Sequence, residues 1–301
     1  MSLKEILMDT EAVPVSVPSP SVLRAQLPAA ALIESQVRAA LAEDLGSGDL
    51  TAALLPAEQR ARVELITRES ALLCGCAWFE AVFRLLGAGV AVNWEAQDGE
   101  PIRAGQRLCV LTGPTRALLT GERTAMNYLQ TLSGTATTAG RYAAAVAGLP
   151  VRVLDTRKTL PGLRIQQKYA VRCGGCYNHR IGLYDAILLK ENHILAAGSI
   201  PAALDAARAA NPGVTIQIEV EDLAELAQAL AAGALLILLD NFSLDQLRQA
   251  VALNAGRARL EASGGVDLNT VRAIAETGVD RISVGALTKD LTAVDLSMRF
   301  V

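Results

Sequence analysis

No apolar run in this chain reaches the roughly 18 residues that a membrane span needs, so the sequence predicts no membrane partner. The N-terminus has no basic patch followed by an apolar stretch, which predicts no secretory leader and a cytoplasmic location. Surplus positive charge is also lacking. The net charge is −3 over 301 residues, which argues against a general polyanion binder and against a nucleic-acid partner. Aromatic residues make up only 4% against 51% hydrophobic, a balance typical of an Ala-, Leu- and Val-rich α/β enzyme. No Ser-His-Asp arrangement is evident and no GxGxxG opens a βαβ unit, which leaves hydrolase and dehydrogenase readings weak. The five cysteines are odd in number, which favours reduced thiols. Cys173-Gly-Gly-Cys176 has the spacing of a zinc knuckle, but Cys74-x-Cys76 is too tight to be its other half. Incidental small residues beside a glycine turn are the better reading.

What is present is one dense basic segment, Asp155–His193. It holds both histidines and seven Lys or Arg against three acids, a formal +4 in a chain that otherwise sums to −7. That contrast points to one pocket for a small, highly charged anion. VRVLD (151–155) reads as a buried strand that breaks at DTRKT, and a helix begins near Pro161 and runs through GLRIQQKYAVR to Gly174-Gly175. AILLK (186–190) is the next strand. In such βαβ units ligands bind at the carboxyl ends of the strands.

The rest of the chain fits a two-part plan. An arm with several prolines is expected over 1–23. A smaller N-terminal α/β sandwich domain follows over 24–133, with residues 289–301 packing on it. From 134 to 288, strands near 151–155, 186–190, 215–221, 235–240, 259–263 and 281–285 alternate with helices at 199–210, 222–232, 243–254 and 267–277. This predicts an α/β fold with an incomplete (β/α) barrel of six to seven strands. The strand ends carry Asp155, Lys190, Glu219 with Glu221, Asp240, Ser263 and Gly285. In a barrel these converge on one face. The bland alternative, that strands end in polar residues anyway, does not account for the mixture of acids, bases and glycine tips.

Arg123, Arg157, Lys158, Arg180 and Lys190, with His179, suit carboxylates or phosphates. Arg123 shares a helix face with Asn127, and a merely solvated arginine is an equal reading. Glu219 and Asp240 suit Mg²⁺, held partly through water. Ser263-Gly264-Gly265 and Val284-Gly285-Ala286 suit a phosphate. Together these suggest a phosphorylated sugar bearing pyrophosphate and an acidic acceptor.

The strings GERTAMNYLQTLSGTAT (121–137), DTRKTLPGLR through NHRIGLYDAILLKENH (155–193), EVE (219–221), LDNFS (239–243), EASGG (261–265) and ISVGALT (282–288) resemble the quinolinate phosphoribosyltransferase family. EDLGSGDLT (43–51) matches its N-terminal domain, and Cys176 stands where the family usually has a third glycine. The resemblance implies a pentosyltransferase that joins quinolinate to phosphoribosyl pyrophosphate with Mg²⁺, giving nicotinate mononucleotide, pyrophosphate and CO₂ on the way to NAD. It implies a quinolinate pocket of Arg123, Arg157, His179, Arg180 and Lys190. It puts the phosphoribosyl and metal contacts on Thr156, Lys158, Glu219, Asp240, Ser263, Gly264, Gly265, Val284, Gly285 and Ala286, with Lys158, Glu219 and Asp240 catalytic. It also implies a homodimer, if not a larger assembly, in which Arg123 reaches the partner's barrel. A nicotinate phosphoribosyltransferase and a non-catalytic anion-binding relative are the competing readings.

Overall fold

The computed structural model describes residues 18–87 and 89–301. They form two compact units, one of residues 18–140, 165–175 and 290–301, the other of residues 141–164 and 176–289.

The first unit begins with helices α1 (Pro20–Ala25) and α2 (Ala30–Leu45). The expected N-terminal arm is helical from residue 20 to its end at residue 23, because proline fits the first turn of a helix; its residues 1–17 lie outside the described ones. Strands β1 (Arg60–Thr67) and β2 (Ala71–Leu72), helix α3 (Cys76–Leu85), strands β3 (Ala91–Trp94), β4 (Pro101–Ile102) and β5 (Arg107–Pro114), and most of helix α4 (Thr115–Ala145) follow. β1 alternates buried Val63 and Leu65 with outward Arg62 and Glu64, as a half-buried strand must. Its two edges pair antiparallel with β5 and with the C-terminal strand Leu296–Phe300, giving a four-stranded sheet closed by β3. α3 buries Trp78, Phe79, Val82 and Phe83, each worth roughly 1.5–3 kcal/mol of transfer free energy. Asp98 caps its start by accepting from the N–H groups of Gly75 and Cys76 at 2.9 and 3.1 Å.

Helix α5 (Arg164–Cys173) belongs to this unit from residue 165 on. It starts three residues later than the sequence predicts. Gly162 takes φ +77°, and Leu163 N–H closes a turn on Leu160 O, so the stretch after Pro161 is a turn before it is a helix.

The second unit is a parallel sheet of β6 (Arg152–Leu154), β7 (Ile187–Leu189), β8 (Ile216–Val220), β9 (Leu236–Asp240), β10 (Arg259–Ser263) and β11 (Arg281–Ser283). The order is β6-β11-β10-β9-β8-β7, so the first and last of these strands pair and the sheet curls round on itself. Tyr177 adds a parallel bridge to Leu154, a rudimentary seventh strand. No ladder joins it to β7 among the described residues, so the barrel is incomplete, as expected.

Helices α6 (Glu191–Ala197), α7 (Ile200–Ala210), α8 (Leu223–Ala231), α9 (Leu244–Asn254), α10 (Val271–Ala275) and α11 (Ala286–Lys289) connect or follow these strands. Ser199, Asp222 and Ser243 cap α7, α8 and α9 by accepting main-chain N–H bonds. α6 was not legible: it buries no residue, so it has no apolar stripe to read. α10 is shorter than the expected 267–277. The Asp267 carboxylate takes the N–H groups of Asn269 and Thr270 into a competing turn. β12 (Leu296–Phe300) is the strand that returns to β1. No helix among the described residues is long and apolar enough to cross a membrane.

Candidate active site

The carboxyl ends of β6–β11 gather most of the charged residues singled out by the sequence. Asp155, wholly buried at the end of β6, organises the turn that follows. Its carboxylate accepts from Asn178 Nδ2 at 2.7 Å and from His179 N–H at 2.8 Å, and so fixes the segment that carries His179 and Arg180. Arg164 crosses between the two loops. Its guanidinium donates to Thr159 Oγ1 at 3.1 Å and to Ile181 O at 3.2 Å. Asp185 closes the far end by accepting from Ile181 N–H and Gly182 N–H.

Between these braces lie two guanidinium groups. Arg180 is buried, and its Nη1 donates to Ala186 O at 3.0 Å. Burial first, and then the Arg157 charge, push its guanidinium below the usual arginine range, with Asp185 opposing. Arg157 Nε is buried with no hydrogen-bond partner among the described residues. A buried donor left unmet beside a second guanidinium is costly without an anion. An anion placed between the two guanidinium groups would relieve that cost.

Lys190 follows β7, where its N–H donates to His193 Nδ1 at 3.1 Å. Its ammonium donates to Glu219 Oε2 at 2.6 Å, a partly buried ion pair across the ends of β7 and β8. Asp240 ends β9. Its carboxylate accepts from Asn241 Nδ2 at 2.7 Å, and Asn241 itself sits at φ +57°, a left-handed conformation uncommon outside glycine. Asn241 N–H donates to Ser263 O at 2.9 Å, which ties the β9 tip to the β10 tip. Gly264, at φ +97°, admits no Cβ because one would collide with the Asn241 side chain.

Thr156 Oγ1 accepts from Lys158 N–H at 3.0 Å, and Lys158 O accepts from Thr288 Oγ1 at 2.8 Å. The Lys158 side chain runs over Gly285, where a Cβ would lie 3.0 Å from Lys158 Cδ. The loop at 284–286 thus meets the loop after β6 through a glycine. Val284 is buried and its N–H is taken by Leu154 O, which leaves Gly285 and Ala286 as the open members of that loop.

Arg123 is the predicted residue that the structure sets apart. It lies exposed on α4 in the first unit, with Asn127 exposed on the same face. Beneath the tips is a polar set of which the sequence reading named His179 and missed the buried Gln217 and Glu261. His179 Nε2 is 2.9 Å from Gln217 Oε1, and Gln217 Nε2 donates to Glu261 Oε2 at 3.1 Å. Period 2 was the available signal: Gln217 and Glu261 lie two residues before Glu219 and Ser263, on the same strand faces. Cys74 stands against Cys173, and burial pushes its thiol up. All five thiols are free, and no cluster of three metal-ligating side chains occurs among the described residues.

Two family profiles match in chain order: quinolinate phosphoribosyl transferase, N-terminal domain, over residues 49–133, and its C-terminal domain over residues 135–299. The probable nicotinate-nucleotide pyrophosphorylase [carboxylating] of Bacillus subtilis is 42% identical, covering 85% of this chain and 89% of that one. The nicotinate-nucleotide pyrophosphorylase [carboxylating] of Mycobacterium leprae is 41% identical over 87% of this chain and 95% of its own. The solved nicotinate-nucleotide pyrophosphorylase of Francisella tularensis superposes with a TM-score of 0.87 at 42% identity, covering 92% of this chain and 98% of that one. With both profiles matched in order and relatives above 40% identity along most of its length, the chain belongs to the quinolinate phosphoribosyltransferase family.

Proposed function

We propose that this chain transfers the phosphoribosyl group of phosphoribosyl pyrophosphate to quinolinate, releasing pyrophosphate and CO₂ and giving nicotinate mononucleotide for de novo NAD synthesis. The observation that carries the reading is the Arg157–Arg180 pair, with the buried Arg157 Nε unmet. A planar acceptor with two adjacent carboxylates satisfies both guanidinium groups, and Lys190 lies on the next strand end to take part. Held there, the pyridine nitrogen faces the sugar C1, and positioning supplies much of the rate.

The sugar phosphate and diphosphate fall to Lys158, Thr156, Ser263, Gly264, Gly265, Gly285 and Ala286. Lys158 neutralises charge on the departing pyrophosphate as the C1–O bond breaks. Glu219 and Asp240 lie on adjacent strands, and their carboxylates suit the positive charge that develops on the ribosyl centre. With no cluster of three metal-ligating side chains among the described residues, Glu219 and Asp240 would suit Mg²⁺ carried in on the diphosphate better than a resident ion. Such an ion supplies further charge neutralisation to the leaving group. Once the ring nitrogen is ribosylated it is cationic, and the adjacent carboxylate leaves as CO₂. The electron pair stays on the ring carbon beside the cationic nitrogen, which stabilises it, and that carbon takes a proton from water to give nicotinate mononucleotide.

Arg123 is assigned to the acceptor pocket of a partner copy, so the working form is a homodimer. Its exposure on α4, in a different unit from the one that holds the other site residues, supports this. The free thiols favour a reducing, cytoplasmic setting. A nicotinate-specific enzyme is the rival reading, and a single carboxylate would leave one guanidinium without an anion. The deciding measurement is CO₂ release from carboxyl-labelled quinolinate: release that depends on phosphoribosyl pyrophosphate is expected, and its absence alongside turnover of nicotinate would transfer the assignment to the rival.

A further inference from the structure

The polar chain beneath the site has a direction, and the direction can be read from donors and acceptors alone. The Arg180 main-chain N–H can only donate, and it points at His179 Nδ1 at 2.8 Å. Nδ1 therefore carries a lone pair, and the ring is neutral with its proton on Nε2. That proton is donated to Gln217 Oε1, so the Gln217 amide turns its Nε2 toward Glu261. Glu261 is 1% exposed, and its second oxygen stands 3.5 Å from His179 Nε2. Burial pushes the Glu261 carboxyl up; a charged His179 would pull it down, and Arg281 and the Gln217 hydrogen bond pull it down whatever the state of the ring. With the imidazole neutral, Arg281, its register partner on β11, supplies the charge. An ionised carboxylate accepts only. Its Oε2 can be satisfied by just one orientation of Gln217, and that orientation by just one tautomer of His179, while Oε1 has no hydrogen-bond partner among the described residues.

We propose that Glu261 is a positioning residue of the acceptor pocket: through Gln217 it decides which nitrogen of His179 carries the proton, and so holds the main chain and guanidinium of Arg180 in place. The inference rests on the reading of Arg157 and Arg180 as the acceptor site. Both ring nitrogens of His179 are engaged within the protein, so the histidine acts on the substrate through Arg180.

Glu261→Gln is nearly isosteric but can donate as well as accept. Gln217 can then flip, the proton can move to Nδ1, and the Arg180 N–H meets a donor. The expected result is a quinolinate KM raised on the order of tenfold, the low end of what loss of the outer partner of a metal-bound histidine costs. kcat and the phosphoribosyl pyrophosphate KM should move by less than about twofold. The chain has two histidines, so ring ¹⁵N spectra hold two sets of signals, and a His193→Gln sample assigns them. His179 should be the Nε2–H tautomer in the parent and a mixture in Glu261→Gln. The swap Gln217→Glu with Glu261→Gln puts an acceptor-only group directly on Nε2 and should restore both the tautomer and the quinolinate KM. An unchanged tautomer, an unchanged quinolinate KM, or equal rises for both substrates overturns the proposal, as does a folded swap variant that shows no recovery. If Glu261→Gln alone does not fold, the swap variant carries the test by the same two readouts. Failure of the parent to consume quinolinate would sink the acceptor reading itself, while the tautomer comparison would still report on the network.

Discussion

Arg157 and Arg180 concentrate the specificity of the site because, among the described residues, neither forms an ion pair and Asp185 only partly offsets the burial of Arg180. Nicotinate would leave one of the site cations unpaired, a penalty of roughly 2–5 kcal/mol. That corresponds to about 30- to several-thousand-fold in affinity, since 1.4 kcal/mol is about tenfold. Calorimetric titrations should show quinolinate and the unreactive dicarboxylate phthalate binding well and nicotinate binding poorly. Arg157→Ala should narrow the gap by weakening quinolinate most, and equal affinities in the parent protein would withdraw the assignment. Asp240 calls for a different readout. Asp240→Asn should lose turnover most severely at limiting Mg²⁺ while phthalate affinity holds, and full activity at low Mg²⁺ would contradict the metal role. These tip residues were legible because a charge closing an apolar run stands out in sequence. Glu261 and Gln217 were not, because a charged residue inside a strand looks like a solvent-facing one until the curl of the sheet turns that face inward. Arg164 was counted among the basic residues, but only the folded loop shows it bridging Thr159 and Ile181.

Elements with one apolar face and a clear stop could be read within a residue or two, β10 at Arg259–Ser263 and α9 at Leu244–Asn254 among them. The misses share a cause, a local side-chain or turn interaction that overrides periodicity, as at Asp267 before α10 and Gly162 before α5. The contact between α4 and the end of α5 lies at the same scale. A Cβ at Gly174 would stand 2.5 Å from Ala136 O and 2.8 Å from Gly140 N, both main-chain atoms that cannot swing aside. Gly174→Ala should therefore cost about 1–3 kcal/mol of stability, the usual range for overpacking. A thermal melt checks this, and an unchanged midpoint would mean that the helices separate more easily than the geometry allows.

For the molecule as a whole, the placement of Arg123 outside the barrel unit makes a test by complementation possible. Arg123→Ala and Lys158→Ala should each be inactive. Mixed and allowed to exchange subunits, they should regain activity, because a hybrid dimer then holds one site with both residues intact. Demonstrated exchange without recovery would end the assignment of Arg123 to a partner's pocket. The sequence could suggest this arrangement only through family resemblance, since no pattern within one chain reveals which residues a second copy contributes.

The four-stranded sheet has a consequence for synthesis. β1 is flanked by β5 on one side and by β12 on the other, and Arg68 and Ser297 at that second edge are 229 residues apart in the chain. Translation at about 5–20 residues per second leaves the outer edge of β1 uncovered for roughly 10–45 seconds after it leaves the ribosome. An open edge of that kind invites pairing with neighbouring nascent chains. The first unit, which also takes in α5, therefore cannot be completed in the order in which it is made, and the barrel residues emerge before it closes.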